Sequence, residues 1–131
     1  MEAPLIIVAI YLRGERLQPE HVSQALSVQP SKSQKTGGPC YESKNVTAKI
    51  GIWALIAQTD SAIVSDHIDE ILKKIGSPPT PLDKIDGVDE AYLDVFIGVE
   101  DESAKTVEFA IPRSQLKEVV RLGLCGHFTV S

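Results

Sequence analysis

Aromatic residues are scarce in this 131-residue chain, which holds one tryptophan, three tyrosines and three phenylalanines. Its core must therefore be mostly aliphatic. Cysteine is scarcer still: Cys40 and Cys125 alone are too few for the disulfide framework of a small secreted scaffold. Both are expected to be reduced thiols of a cytoplasmic protein. No apolar run approaches the roughly 20 residues of a membrane-spanning helix. The run from Leu5 to Leu12 follows Glu2 instead of a basic segment and precedes no small-residue cleavage site. It reads as a strand and not as a signal sequence, so no membrane association is expected.

Motifs for metals and nucleotides are missing as well. There is no CxxC, HxxxH or HExxH pattern and no alternating acidic calcium loop, so no metal and no cofactor is expected. Neither GxxxxGK[ST] nor GxGxxG occurs. A phosphate-cradling loop opens directly into a helix whose first amides supply the donors, whereas Gly37-Gly38 leads through Pro39 toward a strand. Thirteen basic residues against eighteen acidic ones leave a net charge of −5. That balance repels phosphate backbones, so nucleic acid is not an expected partner. None of His21, His67 and His127 sits in a motif, and no carboxylate pair stands out. No catalytic residue is predicted, and the chain is expected not to be an enzyme.

What is present is the hydrophobic patterning of one globular domain spanning residues 1–131, a length at which folding buries roughly two-thirds of the unfolded surface. Leu5 to Leu12, bounded by Pro4 and Gly14, predicts a central strand buried on both faces. Pro19 starts a short helix with Val22, Ala25 and Leu26, ending before Pro30. Ile50 to Gln58 predicts a second strand, with Ile50, Ile52, Ala54 and Ile56 on one side and Trp53 and Leu55 on the other. Trp53 belongs to the core on this reading. Asp60-Ser61 supplies the N-cap of a helix carrying Val64, Ile68, Ile71, Leu72 and Ile75, which Gly76 closes.

Ser77 to Asp89 is a proline-rich crossing anchored by Leu82 and Ile85. Tyr92 to Val99 predicts a third strand, and Thr106 to Ile111 a fourth, joined by an acidic hairpin loop. Pro112, Arg113 and Ser114 begin a third helix whose Leu116, Val119 and Val120 face the core. His127 to Val130 forms the last strand. The order β-α-β-α-β-β-α-β argues for an α+β domain, a largely antiparallel or mixed sheet with three helices on one face, ferredoxin-like in character.

Two surfaces carry candidate binding residues. Asp86, Asp89, Glu90, Asp94, Glu100, Asp101 and Glu102 cluster in the second half of the chain, where carboxylates can meet a basic partner. Residues 29–45, QPSKSQKTGGPCYESKN, form a polar excursion longer than a bare connection requires, read as a hairpin turning at Gly37-Gly38-Pro39. Lys32, Lys35, Gly37, Gly38, Cys40 and Lys44 make it an alternative ligand or enzymatic site, in which the thiol would act as a nucleophile only with a cation and a base close to it.

Several segments together resemble a known family. LQPEHVSQALSVQP, with Pro19, Glu20, Val22, Leu26 and Pro30, is similar to the opening helix of the bacterial family called domain of unknown function 4279. KTGGP followed by IGIWALIAQTD, and the ending FAIPRSQLKEVVRLGL, resemble it too. The resemblance implies a small bacterial domain of the sort sometimes encoded beside toxins, and it transfers no catalytic residue. Joined to the acidic balance, it makes a non-enzymatic binding protein the expectation, in particular an immunity-type inhibitor of a basic toxin domain.

Overall fold

In the computed structural model, residues 5–99 and 107–131 are described. The elements are β1 (Leu5–Gly14), α1 (Pro19–Leu26), β2 (Lys32–Gln34), β3 (Gly51–Ile56), α2 (Val64–Ile75), β4 (Glu90–Gly98), α3 (Arg113–Arg121) and β5 (Cys125–Val130), with a 3-10 turn at Leu82–Lys84. They form an α+β domain whose five-stranded open sheet has the order β2-β3-β1-β4-β5. β1 lies at the centre, antiparallel to both β3 and β4, and β5 runs parallel to β4.

Because side chains alternate across a strand, the sheet has two chemically distinct faces. Val8, Ile10 and Leu12 of β1 share one face with Trp53 and Leu55 of β3 and with Ala91, Leu93, Val95 and Ile97 of β4, all buried. All three helices pack there. α1 contributes Val22 and Leu26, α2 contributes Val64, Ile68, Ile71 and Ile75, and α3 contributes Val119 to one core cluster. Each large aliphatic side chain buried this way stabilises the fold by about 1.5–3 kcal/mol. Trp53 is fully buried, and its indole Nε1–H donates to the Ser23 hydroxyl of α1 at 3.0 Å, which satisfies the one polar atom the ring carries. Leu82 and Ile85 anchor the proline-rich crossing as expected, both buried.

Local boundaries differ from the sequence reading in several places. β1 is not fully buried on both faces: on the one away from the helices Ala9 is buried, but Ile7 and Leu5 are exposed and Tyr11 and Arg13 half-buried. α2 begins at Val64 with Ile63 at the N-cap position, because Ser61, two residues before the cap, uses its hydroxyl to accept from the Ile63 amide and to donate to Asp66 in the first turn. The adjacent strand pair falls at β2 and β3, an antiparallel hairpin. In the second half, residues 107–112 carry no regular structure, and Val107 and Phe109 are exposed instead of lying inward. Thr106 and the acidic loop before it lie outside the described residues. On α3 only Val119 is buried, whereas Leu116 and Val120 face outward.

At one end of the sheet three glycines let backbones meet. A Cβ on Gly14 would sit 1.9 Å from the Gly87 carbonyl oxygen, and one on Gly51 would sit 2.8 Å from that of Leu17. Gly87 also has φ +87°, a left-handed conformation that strains other residues. Gly14→Ala is therefore expected to lower stability by about 3 kcal/mol, while Gly37→Ala, at φ +87° but with nothing within 4 Å, should lose only about 1 kcal/mol. Urea midpoints with unchanged slopes check both. Ser23→Ala, which strands the buried Trp53 N–H, should cost about 1–3 kcal/mol in the same assay, with a shift in indole emission.

Candidate functional site

The face of the sheet turned away from the helices collects residues from all five strands. The register sets Tyr11 of β1 beside Ala54 of β3 and Tyr92 of β4, and it sets Lys32 of β2 on the far side of Ala54. Ala54 is fully buried and carries only a methyl group, so the Lys32 chain and the Tyr11 ring meet above it. The Lys32 ammonium lies 5.5 Å from the Tyr11 ring centroid and 4.6 Å from that of Tyr41, which the loop after β2 brings over the sheet. On the other side of Tyr11, the Tyr92 ring stacks at 5.4 Å with planes 17° apart. His127 of β5 then stacks on Tyr92 at 4.1 Å and 11°, a diagonal cross-strand pair, since the direct partner of Tyr92 is Cys125. One continuous row, Tyr41, Lys32, Tyr11, Tyr92 and His127, thus crosses the sheet.

Charged groups flank this row. Arg13 and Glu90, opposite each other in the β1–β4 register, form an exposed ion pair of 3.6 Å, whose net energetic worth is small. Asp94 lies two residues beyond Tyr92 on the same face, half-buried, with Phe96 after it. Burial pushes the Tyr92 phenol above its ordinary value of 10.0, Arg13 works against this, and Asp94 and Glu90 add to the rise. For Lys32, burial acts to lower the ammonium, but the Tyr11 phenol, Tyr41 and Glu42 outweigh it and hold it above 10.5.

The residues singled out from the sequence are dispersed by the fold. Glu90 and Asp94 reach the open face, while Asp86 and Asp89 lie in the exposed loop before β4. There the Asp89 amide donates to the Arg13 carbonyl at 2.8 Å and its carboxylate accepts from the Glu15 amide at 3.3 Å, so it ties the loop to the end of β1. Glu100, Asp101 and Glu102 lie outside the described residues. Of the alternative loop site, Lys32 leaves the loop to join the aromatic row. The remainder forms a short hairpin bridged at Pro39 and Thr47. Gly37 and Gly38 lie on one arm of it, Gly37 N–H donating to Ala48 C=O and Ala48 N–H to Gly38 C=O, and the reversal itself lies where Val46 N–H meets Ser43 C=O, around exposed Lys44. Cys40 is half-buried there, its amide bonded to the Val46 carbonyl. The expected turn at Gly37-Gly38-Pro39 is therefore displaced toward residues 43–46.

Sequence reasoning missed Tyr11, Arg13, Tyr41, Tyr92, Phe96 and His127. The available signal was the chain's three tyrosines, two of them at alternating strand positions that also carry Arg13 and Asp94. Among the described residues, no group of three or more His, Cys, Asp or Glu side chains is arranged to hold a metal ion. Nor is any described helix long and apolar enough to cross a membrane. An open groove of about 360 Å³ lies apart from the row, between α1 and β2, with Glu20, Gln24, Gln29 and Ser33 in its walls.

The family described as a domain of unknown function (DUF4279) matches residues 4–129, and the chain belongs to that family. No curated protein and no solved structure matches the chain.

The folded chain holds the Tyr92 and Lys32 protons more tightly than the unfolded chain does. Their contribution to stability is complete below about pH 10 and is lost as pH rises through the folded values. Stability measured by denaturant titration should therefore fall above pH 10, and Asp94→Asn should bring the Tyr92 phenol transition, followed by ultraviolet absorbance, to lower pH.

Proposed function

We propose that this chain is a non-enzymatic binding protein whose open sheet face docks a basic protein partner, and that an immunity-type inhibitor of a bacterial toxin domain is its specific form. The observation that carries the reading is the aromatic row bordered by carboxylates. Tyrosine and arginine on a half-buried bed, with donors and acceptors at their edges, are the side chains that dominate protein–protein binding energy. Charge completes it: Arg13 is engaged by Glu90 and Lys32 by Tyr11, Tyr41 and Glu42, which leaves Asp94, beside Tyr92, as the carboxylate of this face with no ion-pair partner among the described residues. A chain of net charge −5 steers such a partner toward this surface.

The test is calorimetric titration against the toxin domain encoded beside this chain's gene, together with protection from killing. Tyr92→Ala and Asp94→Lys are each expected to weaken binding at least about tenfold, whereas Cys40→Ala leaves it unchanged. Binding that survives both face substitutions but falls with Cys40→Ala would move the site to the 29–45 loop. Absence of both binding and protection would end the inhibitor reading.

A further inference from the structure

The two edges of the sheet are unequal. β2 is three residues long, follows Pro30 and carries Lys32, the devices by which proteins keep an edge from pairing. β5 has none of them. It is six residues long, exposed along its whole length, and free of proline, lysine and bulges. Its backbone direction follows from its end, where Ser131 N–H donates to Ile97 C=O and Ser131 C=O accepts from Val99 N–H. The backbone groups of Ser131 thus face β4, and by the two-residue repeat so do those of Thr129, His127 and Cys125. The N–H and C=O groups of Gly126, Phe128 and Val130 point outward, and no described residue pairs with them.

We propose that β5 pairs antiparallel with β5 of a second copy of this chain, with Phe128 on the two-fold axis, to give a continuous ten-stranded sheet. A strand whose outward groups are Gly126, Phe128 and Val130 is self-complementary about Phe128: Gly126 meets Val130 of the other copy, and the two Phe128 residues exchange hydrogen bonds. The side chains agree. Phe128 and Val130 are 50% and 53% exposed, and Phe109 stacks on Phe128 at 6.0 Å, so apolar surface borders the edge. Charge does not oppose this pairing. The chain as a whole repels its like at −5, yet residues 122–131 contain no acidic or basic side chain other than His127, and β5 is where two copies approach without repulsion. The inference is independent of the docking reading, which uses the sheet face and not its edge.

The same register places Cys125 beside Ser131 of the other copy in a pair without hydrogen bonds, where side chains approach most closely. Sedimentation equilibrium over micromolar concentrations should give twice the chain mass. Phe128→Lys, which sets like charges together on the axis at an already exposed position, should weaken self-association at least about 30-fold. Ser131→Cys in a Cys40→Ser chain should form a covalent dimer on treatment with diamide, and the Cys40→Ser chain alone should not. A monomeric wild-type chain overturns the proposal. So does a dimer that Phe128→Lys leaves intact, or a dimer in which Ser131→Cys yields no cross-link.

Discussion

The antiparallel pairing of β1 with β3 on one side and β4 on the other fixes which side chains share a surface. With the register Leu12–Trp53 and Leu12–Ala91, Val8, Ile10, Leu12, Trp53, Leu55, Leu93, Val95 and Ile97 turn toward the helices, whereas Leu5, Ile7, Ile52 and Ile56 lie on the open face. A slip of one residue would exchange the two faces, sending Trp53 and Leu12 to solvent and Tyr11 and Arg13 into the core. The core and the aromatic row are therefore two outcomes of one register. Whatever holds that register holds both.

Two features hold it. The first is the close approach of Gly14, Gly51 and Gly87, which brings the end of β1, the start of β3 and the loop before β4 within contact distance of one another's backbones. The second is the Trp53–Ser23 hydrogen bond, which ties the centre of β3 to α1 at a single position along the strand. The first acts by excluding side chains and the second by demanding a partner for a buried donor. Together they leave β3 one alignment against its neighbours.

On the open face the same logic produces an ordered surface instead of a buried one. Small residues at Ala9 and Ala54 lie beneath the row, and the larger groups lean across them until they touch. Because each ring rests on the next, the row holds its positions before any partner arrives. Such preorganisation limits the entropy lost on association. The row ends at His127 on β5, so the binding face proposed for a partner and the edge proposed for a second copy adjoin without sharing the same atoms.

Local chemistry determined the parts of this protein that depend on neighbours in sequence. Alternating and helical hydrophobic periods identified β1, β3, β4 and the helices α1 and α2, and Gly76 and Pro19 marked their ends. The α+β class followed from these, and the family from the resemblance carried by LQPEHVSQALSVQP, KTGGP with IGIWALIAQTD, and FAIPRSQLKEVVRLGL. Where local chemistry was ambiguous it failed: Leu116 and Val120 have helical spacing yet are exposed, and Val107 to Ile111 alternate in a segment that takes no regular structure. The aromatic row lay further beyond reach, since Tyr11, Lys32, Tyr41, Tyr92 and His127 are far apart along the chain. Only the strand order and register bring them within 4–6 Å of one another. Those are properties of the whole sheet, set by which faces the helices cover and by how closely three glycines let the backbones meet.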